Sequence, residues 1–268
     1  MARTASRVES TDLAESRVLS GTRPAGSHNE REAGQHVREM FGRIAPRYDF
    51  LNHFLSASFD KLWRKRTAQR FSAILQNPNA HVLDLCCGTG DLAFAFLRQA
   101  RKGHANGAAE MFGADFALPM LALAKKKCTK PVQSVAFLGA DALTLPFPDS
   151  SFDLVATAFG FRNLANYESG LRELRRILRP GGALGILEFC EPESGPLAAL
   201  YRFYFRRVLP KIGGAISGSA DAYSYLPGSV QKFPRPDVLK IWIEQAGFSG
   251  VKYERWTCGA VALHTAQR

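Results

Sequence analysis

Short apolar runs alternate with helical spacing of apolar side chains through the middle of the chain. The runs at residues 82–85, 110–115, 135–139, 152–158 and 183–189 predict strands, and the stretches at 92–97, 118–127 and 167–178 predict helices. Strands that alternate with helices usually form a parallel sheet covered by helices on both faces. The pattern therefore predicts a doubly wound α/β fold, in which ligands bind at the carboxyl ends of the strands.

Both ends of the chain depart from this alternation. Residues 1–34 are rich in Ser, Arg, Thr, Gly and Ala without apolar periodicity, which predicts a disordered arm. Residues 35–268 have a length suited to one domain. Within it we expect a basic helical cap at residues 35–76, interrupted at Pro46, and an aromatic, arginine-rich helical insert at 192–236. The remaining predicted elements are a helix at 237–247 and strands at 251–256 and 260–264.

The composition is that of a globular protein with a sizeable core. Of the residues, 46% are hydrophobic and 22% are charged, and no apolar run is long enough to span a bilayer. The net charge of +11 suits an anionic partner or a membrane surface. Five cysteines without C-x-x-C spacing and six histidines without a ligand spacing predict neither a disulfide framework nor a metal site. The lack of a secretory apolar core, and the acids Glu9, Asp12 and Glu15 of the arm, predict a cytoplasmic protein.

A glycine turn, Gly88-Thr89-Gly90, follows the first predicted strand and precedes the first predicted helix of the alternation. Glycines let a ligand approach the backbone closely, and the helix N-terminus presents free N–H groups. With Ala93, the turn also matches the dinucleotide fingerprint G-x-G-x-x-G/A. The turn alone therefore leaves two ligands open, a dinucleotide and S-adenosylmethionine.

Acids at the ends of three predicted strands favour S-adenosylmethionine. Asp84 lies four residues before Gly88, where a carboxylate would face an amino group and would repel a pyrophosphate. Asp115 ends the second strand and is placed to bind ribose hydroxyls, which suits either ligand. Asp141 and Ala142 follow the third strand, where a short acid can accept a hydrogen bond from an adenine amino group.

In this order, the elements resemble a class I S-adenosylmethionine-dependent methyltransferase. That resemblance implies a Rossmann-like, mostly parallel sheet of seven strands with a reversed last strand. The segments at residues 41–52, 62–65, 158–163, 221–226 and 259–264 are similar to signatures of the menaquinone and ubiquinone C-methyltransferase family. The similarity extends from about residue 37 to residue 264. It implies that Thr89, Asp115, Asp141 and Ala142 contact the cofactor, beside Asp84, Gly88 and Gly90.

The resemblance implies methylation of a ring carbon of a prenylated demethylmenaquinol, or of the benzoquinol counterpart. The sulfonium donor is already activated, so the enzyme must mainly orient its substrates, and no metal is needed. Arg162 is the candidate for stabilising the quinol oxyanion, and its alternative role is an ion pair with Asp153 or Glu188. Tyr48 is a second catalytic candidate, and its alternative role is packing. Weaker candidates for the acceptor pocket are Asp221, Tyr223 and Tyr225.

A prenyl quinol resides in the bilayer, which gives the insert a role at the membrane. Residues 197–211 could lie on the surface as a peripheral contact, or could pack into the core. An RNA methyltransferase is a less favoured alternative, because Phe159–Asn163 replaces the Asn/Asp-Pro-Pro-aromatic motif of enzymes that methylate base amines, and no nucleic-acid partner is expected. A non-enzymatic sensor of S-adenosylmethionine is also disfavoured. The sequence leaves an oligomer open.

Overall fold

The computed structural model describes residues 21–24, 26–56, 58–102, 109–128, 135–192, 225 and 228–268. Most of the predicted insert, including residues 197–211, Asp221 and Tyr223, lies outside the described residues, as do residues 1–20 of the predicted arm. None of the helices in the described part of the chain is long and apolar enough to cross a membrane.

The centre of the fold is a seven-stranded sheet in the order β3-β2-β1-β4-β5-β7-β6. Its strands are β1 (His81–Leu85), β2 (Glu110–Asp115), β3 (Val135–Gly139), β4 (Phe152–Ala158), β5 (Leu178–Phe189), β6 (Ser249–Trp256) and β7 (Val261–Gln267). The first five are parallel, and β7 runs antiparallel to both β5 and β6. The predicted mostly parallel sheet with a reversed last strand is confirmed. Because β1 lies between β2 and β4, its carboxyl end is the point where the strand order reverses, the usual ligand site of such sheets.

Helices cover both faces of the sheet. Within the described residues the α-helices are α1 (Glu30–Leu55), α2 (Phe59–Arg70), α3 (Ser72–Leu75), α4 (Asp91–Ala100), α5 (Leu118–Lys127), α6 (Tyr167–Ile177) and α7 (Pro236–Gln245). On β1, Val82 belongs to the core shared with α2, α3 and α4, whereas Leu83 belongs to the core shared with α6 and α7. Successive strand residues face opposite sides, so β1 must be apolar on both.

The predicted arm ends earlier than residue 34. Helix α1 begins at Glu30, and Thr22 and Ala33 are both buried. The helix starts there because Asn29 accepts a hydrogen bond from the Glu32 N–H (2.9 Å), while Glu32 accepts one from the His28 N–H (2.8 Å). This reciprocal arrangement resembles a capping box. The interruption predicted at Pro46 is also wrong, because α1 continues through it. A proline removes one helical hydrogen bond, which the flanking turns tolerate here.

Strand β5 is longer than predicted. It begins at Leu178, directly after α6, and includes residues 179–182, which lie before the predicted start of the strand at residue 183. The backbone still bends there, because Gly181 has a φ of 78°. Its N–H donates to the carbonyl of Arg268 (3.1 Å), so the end of the chain pairs with the extension.

Candidate active site

A cavity of about 960 Å³ lies between the carboxyl ends of β1 to β4 and helix α1. Its volume is in the range of small-molecule sites. Of the predicted site residues, Tyr48, Gly88, Asp115, Asp141 and Ala142 line its wall. Apolar side chains of α1, the β2–α5 connection, α5 and the segment after β4 complete it, among them Phe41, Phe116, Met120, Phe159 and Leu164.

The glycine turn needs backbone angles that other residues seldom adopt. Gly88 and Gly90 have φ angles of 54° and 83°, in the left-handed region. A Cβ atom on Gly90 would lie 2.9 Å from the ring of Phe137, so a side chain there is also excluded by packing. At Gly88 the nearest atom to such a Cβ would be 3.9 Å away, on the Tyr48 ring. Gly88 therefore keeps the floor of the cavity open beneath Tyr48.

Asp84 is buried beneath this turn. Its Oδ2 accepts a hydrogen bond from the Ala93 N–H (2.9 Å) in the first turn of α4, whereas its Oδ1 has no hydrogen-bond partner among the described residues. Burial raises the pKa of Asp84 to about 8, and the nearby Arg64 guanidinium opposes that rise. An unpartnered buried carboxylate oxygen is costly, and a cationic ligand group would relieve it. The methionine end of S-adenosylmethionine carries such groups, so this side chain fits the cofactor.

Asp115 ties the glycine turn to β2. Its Oδ2 accepts from the Gly88 N–H and its Oδ1 from the Ala117 N–H, both at 2.8 Å. Burial raises the pKa of Asp115, and these backbone donors lower it again in part. A carboxylate has about four lone-pair sites, so the backbone donors leave acceptor capacity for a ligand hydroxyl. Asp115 therefore fixes the turn and still presents acceptors to the cavity.

Asp141 and Ala142 form the wall at the end of β3. The Asp141 carboxylate accepts from the Leu143 N–H (2.9 Å), and its carbonyl accepts from the Thr144 N–H (3.1 Å). These bonds make a tight turn that leaves the Asp141 side chain exposed and Ala142 buried. The pair offers a polar edge and an apolar face, which suits a purine ring.

Thr89 points away from the cavity, unlike its neighbour Gly88. Its hydroxyl donates to Asp49 Oδ1 (2.5 Å) and accepts from Lys127 Nζ (2.9 Å). The structure therefore does not bring the Thr89 side chain to the cavity wall, and Gly90 and Asp84 also lie behind that wall. The sequence contains no signal for this orientation, because Lys127 is 38 residues away from Thr89.

Arg162 is buried and forms an ion pair. Its Nη1 lies 2.9 Å from Glu188 Oε2 and donates to the Phe159 carbonyl (2.5 Å), and its backbone N–H donates to Glu188 Oε1 (3.1 Å). The alternative partner Asp153 pairs instead with Arg179 (2.5 Å). Arg162 does not line the cavity. It supports a corner of the wall, where Phe159 has a φ of 63°. Its Nε has no hydrogen-bond partner among the described residues.

Tyr48 lines the cavity from α1, with its ring edge-on to Phe41 at a centroid distance of 5.9 Å. Burial raises the pKa of the Tyr48 phenol, and the Arg162 guanidinium is the largest opposing influence. The two catalytic candidates are therefore electrostatically coupled. At neutral pH the phenol is protonated, so it can donate a hydrogen bond but is a poor base.

Other residues at the site are not apparent from the sequence. The Thr22 hydroxyl donates to the carbonyl of Arg162 and contacts the Tyr167 hydroxyl (3.0 Å). Thr22 lies in the segment predicted to be disordered, which carries no signal for this contact. Tyr225 is the one weaker acceptor candidate within the described residues, and its hydroxyl donates to Asn163 (3.1 Å) on the cavity wall.

A cluster next to the site offers metal-ligand atoms. Ligand atoms of His53, Asp60 and Asp91 lie within 4.8 Å of one another. The two carboxylates already have cationic partners, since Arg64 contacts Asp60 at 2.5 Å and Lys127 contacts Asp91 at 2.9 Å. Within the described residues, this cluster is therefore better explained as an ion-pair network that joins α1, α2, α4 and α5.

Comparison with known proteins identifies the family. Residues 28–268 match the model of the ubiE/COQ5 methyltransferase family. The chain belongs to this family. The predicted family, and with it the prediction of an S-adenosylmethionine-dependent C-methyltransferase, is confirmed.

Two relatives illustrate the range of names within the family. The demethylmenaquinone methyltransferase of Thermus thermophilus is 51% identical over 229 residues, which is 85% of this chain and 100% of that protein. The ubiquinone/menaquinone biosynthesis C-methyltransferase UbiE of Geobacter sulfurreducens is 38% identical and covers 88% of this chain and 90% of its own length.

Solved structures agree on the fold. A SAM-dependent methyltransferase from Thermotoga maritima has a TM-score of 0.59 at 19% identity, and covers 85% of this chain and 98% of its own. The trans-methyltransferase CalH in complex with SAH has a TM-score of 0.56 at 17% identity, with coverages of 78% and 58%. At these identities the likeness supports the methyltransferase fold and nothing narrower.

Proposed function

We propose that the protein transfers the methyl group of S-adenosylmethionine to a ring carbon of demethylmenaquinol, which yields menaquinol. The observation that carries this proposal is the match to the UbiE/COQ5 family together with the 51% identity to a demethylmenaquinone methyltransferase. The alternative acceptor is the benzoquinol of the ubiquinone pathway, and relatives named for both pathways support it.

The donor side of the cavity would hold the cofactor through the acids around the glycine turn. The buried carboxylate of Asp84 would attract the methionine amino group from behind the cavity wall, and Asp115 would accept from the ribose hydroxyls. Asp141 and Ala142 would contact the adenine, and Gly88 would allow the close approach of the ligand. Thr89 and Gly90 would act through the shape of the turn. When bound, the cofactor supplies an activated methyl group.

On the acceptor side, we assign the orientation of the quinol to Tyr48, with Arg162 as a supporting residue behind the cavity wall. The protonated Tyr48 phenol would donate a hydrogen bond to the quinol oxygen as that oxygen loses its proton. Arg162 would act indirectly, because it pairs with Glu188 and holds the Phe159 corner of the cavity wall. The cofactor would supply its methyl group to the ring carbon and leave as S-adenosylhomocysteine. The proton on that carbon would pass to solvent and the quinol oxygen would be protonated again, so that one proton is released per turnover.

The test is an assay with radiolabelled S-adenosylmethionine and three acceptors: demethylmenaquinol, its benzoquinol counterpart, and total RNA. We expect label in the menaquinol product, and an unchanged rate after treatment with EDTA, because the sulfonium needs no metal activation. Label only in the benzoquinol would select the alternative acceptor. Label in RNA alone would contradict the proposal.

Because the acceptor is a lipid, we also propose that the protein contacts the membrane surface peripherally. Support comes from the solvent-facing side of α2. Phe59 and Leu62 are 45% and 38% exposed there, next to the exposed Lys61 and Lys65. Apolar side chains flanked by lysines suit the interface of an anionic bilayer. The insert segment at residues 197–211, outside the described residues, stays a second candidate for this contact.

A further inference from the structure

Lys127 joins three elements that surround the cavity. Its Nζ lies 2.5 Å from Asp49 Oδ2 on α1, 2.9 Å from Asp91 Oδ1 at the start of α4, and 2.9 Å from the Thr89 hydroxyl in the glycine turn. Lys127 ends α5 and Asp91 begins α4, so each charge lies at the helix end that stabilises it. None of these four residues lines the cavity.

The glycine turn is held in place without Lys127. Asp115 accepts from the Gly88 N–H, and Asp84 accepts from the Ala93 N–H of the helix that follows. Helix α1 contacts the turn through Asp49, which accepts a hydrogen bond from the Thr89 hydroxyl and forms an ion pair with Lys127. Asp49 follows Tyr48, whose ring lies over Gly88. Lys127 therefore reinforces the direct Asp49–Thr89 bond and links it to Asp91, so its effect falls on the Tyr48 region of α1.

We propose that Lys127 is a positioning residue that holds α1, and with it Tyr48, in place over the glycine turn. This inference rests on the proposed function, because it assumes that Tyr48 orients the methyl acceptor. Lys127 neutralises two carboxylates, Asp49 and Asp91, from elements that must stay together. Without this cation Asp49 and Asp91 repel each other more strongly, although Arg64 still lies 3.9 Å from Asp91, and α1 moves away from the turn.

The experiment compares Lys127→Gln with Lys127→Arg and with Lys126→Gln. Lys126 is the matched control, because it is an exposed lysine in the same last turn of α5. With demethylmenaquinol as the acceptor, we expect Lys127→Gln to lower kcat about tenfold, since a small displacement of an orienting group is costly. The dissociation constant of S-adenosylmethionine should change less than about twofold, because the turn is held separately. Lys127→Arg should keep most of the activity, and Lys126→Gln all of it.

Two further measurements separate positioning from a general loss of structure. The double variant Lys127→Gln, Asp49→Asn should recover part of the lost kcat, because only one of the two repelling carboxylates remains. Hydrogen–deuterium exchange should be faster in Lys127→Gln over residues 44–53 of α1 and unchanged in α6.

The proposal is overturned if α1 exchange in Lys127→Gln matches the wild type. It is also overturned if cofactor affinity falls as much as kcat, or if the double variant is no better than the single one. The exchange measurement needs no acceptor. If the wild-type protein methylates no quinol, the proposed function fails while the role of Lys127 in holding α1 is still decided.

Discussion

At the scale of single residues, Asp84 has conflicting effects on binding and on stability. Its buried Oδ1 has no partner in the described part of the chain, and burial raises the pKa of the carboxyl to about 8. A cationic ligand favours the ionised form, so binding below pH 8 must release the proton. We therefore predict that the affinity for S-adenosylmethionine rises by up to about tenfold per pH unit between pH 6 and 7.5.

Calorimetric titrations across this pH range check the prediction, with Asp84→Asn as the control. The variant should bind weakly and without this pH dependence. It should also be more thermostable than the ligand-free wild type at pH 7.5. The sign follows from the pKa: a carboxyl whose folded-state pKa is raised from 3.8 to about 8 costs stability progressively as the pH rises between these values. An equal pH dependence in Asp84→Asn would exclude this role for Asp84.

A single substitution distinguishes a catalytic role of the Tyr48 hydroxyl from a packing role of its ring. Tyr48→Phe keeps the ring against Phe41 and deletes only the hydroxyl. If the hydroxyl donates to the developing oxyanion, kcat should fall about tenfold to a hundredfold with little change in melting temperature. Steady-state kinetics with demethylmenaquinol measure the effect. Tyr253→Phe is the control, because Tyr253 lies on the edge strand β6 beside His264. Equal rates for Tyr48→Phe and the wild type would leave Tyr48 a packing residue only.

At the scale of elements, the segment before α1 is attached to the site. The Thr22 N–H donates to the carbonyl of Leu164 (2.9 Å), and a Cβ atom on Gly21 would lie 2.2 Å from the carbonyl carbon of Ala165. We predict that Gly21→Ala lowers the melting temperature and kcat, because it displaces Thr22 from the Arg162 carbonyl. In the control Gly34→Ala, the added Cβ meets nothing within 4 Å, so thermal unfolding should show no loss of stability. Matching melting curves for the two variants would count against this attachment.

The elements differ in how far the sequence alone could predict them. Strands β2, β3 and β4 begin and end at the predicted residues, because a run that must be apolar on both faces is plain in a sequence. The predicted helical cap starts at residue 35, later than the observed start of α1 at Glu30, although Asn29 and Glu32 carry the signal for that start. The sequence could not decide whether Asp153 or Glu188 is the partner of Arg162. The answer depends on which strand ends beside the corner that follows β4. The orientation of Thr89 likewise depends on Lys127, a contact that no local pattern encodes.

At the scale of the whole molecule, part of the positive charge lies beside exposed apolar side chains. Lys61 and Lys65 are exposed on α2, the helix that also exposes Phe59 and Leu62. Helix α2 follows α1, which forms one wall of the cavity. Binding of this face to a bilayer would bring that wall close to the lipid in which a prenyl quinol dissolves.

We predict that the protein co-sediments with vesicles that contain anionic lipid and less with neutral vesicles. Each lysine near the surface should contribute about 1 kcal/mol. Lys61→Glu with Lys65→Glu should therefore abolish the preference for anionic lipid, and Phe59→Ser with Leu62→Ser should weaken binding to both kinds of vesicle. Ile241→Ser is the matched control, because Ile241 is 49% exposed on α7. If the α2 variants sediment like the wild type while turnover of a short-chain quinol is normal, the membrane contact lies elsewhere, and variants in residues 197–211 become the next test.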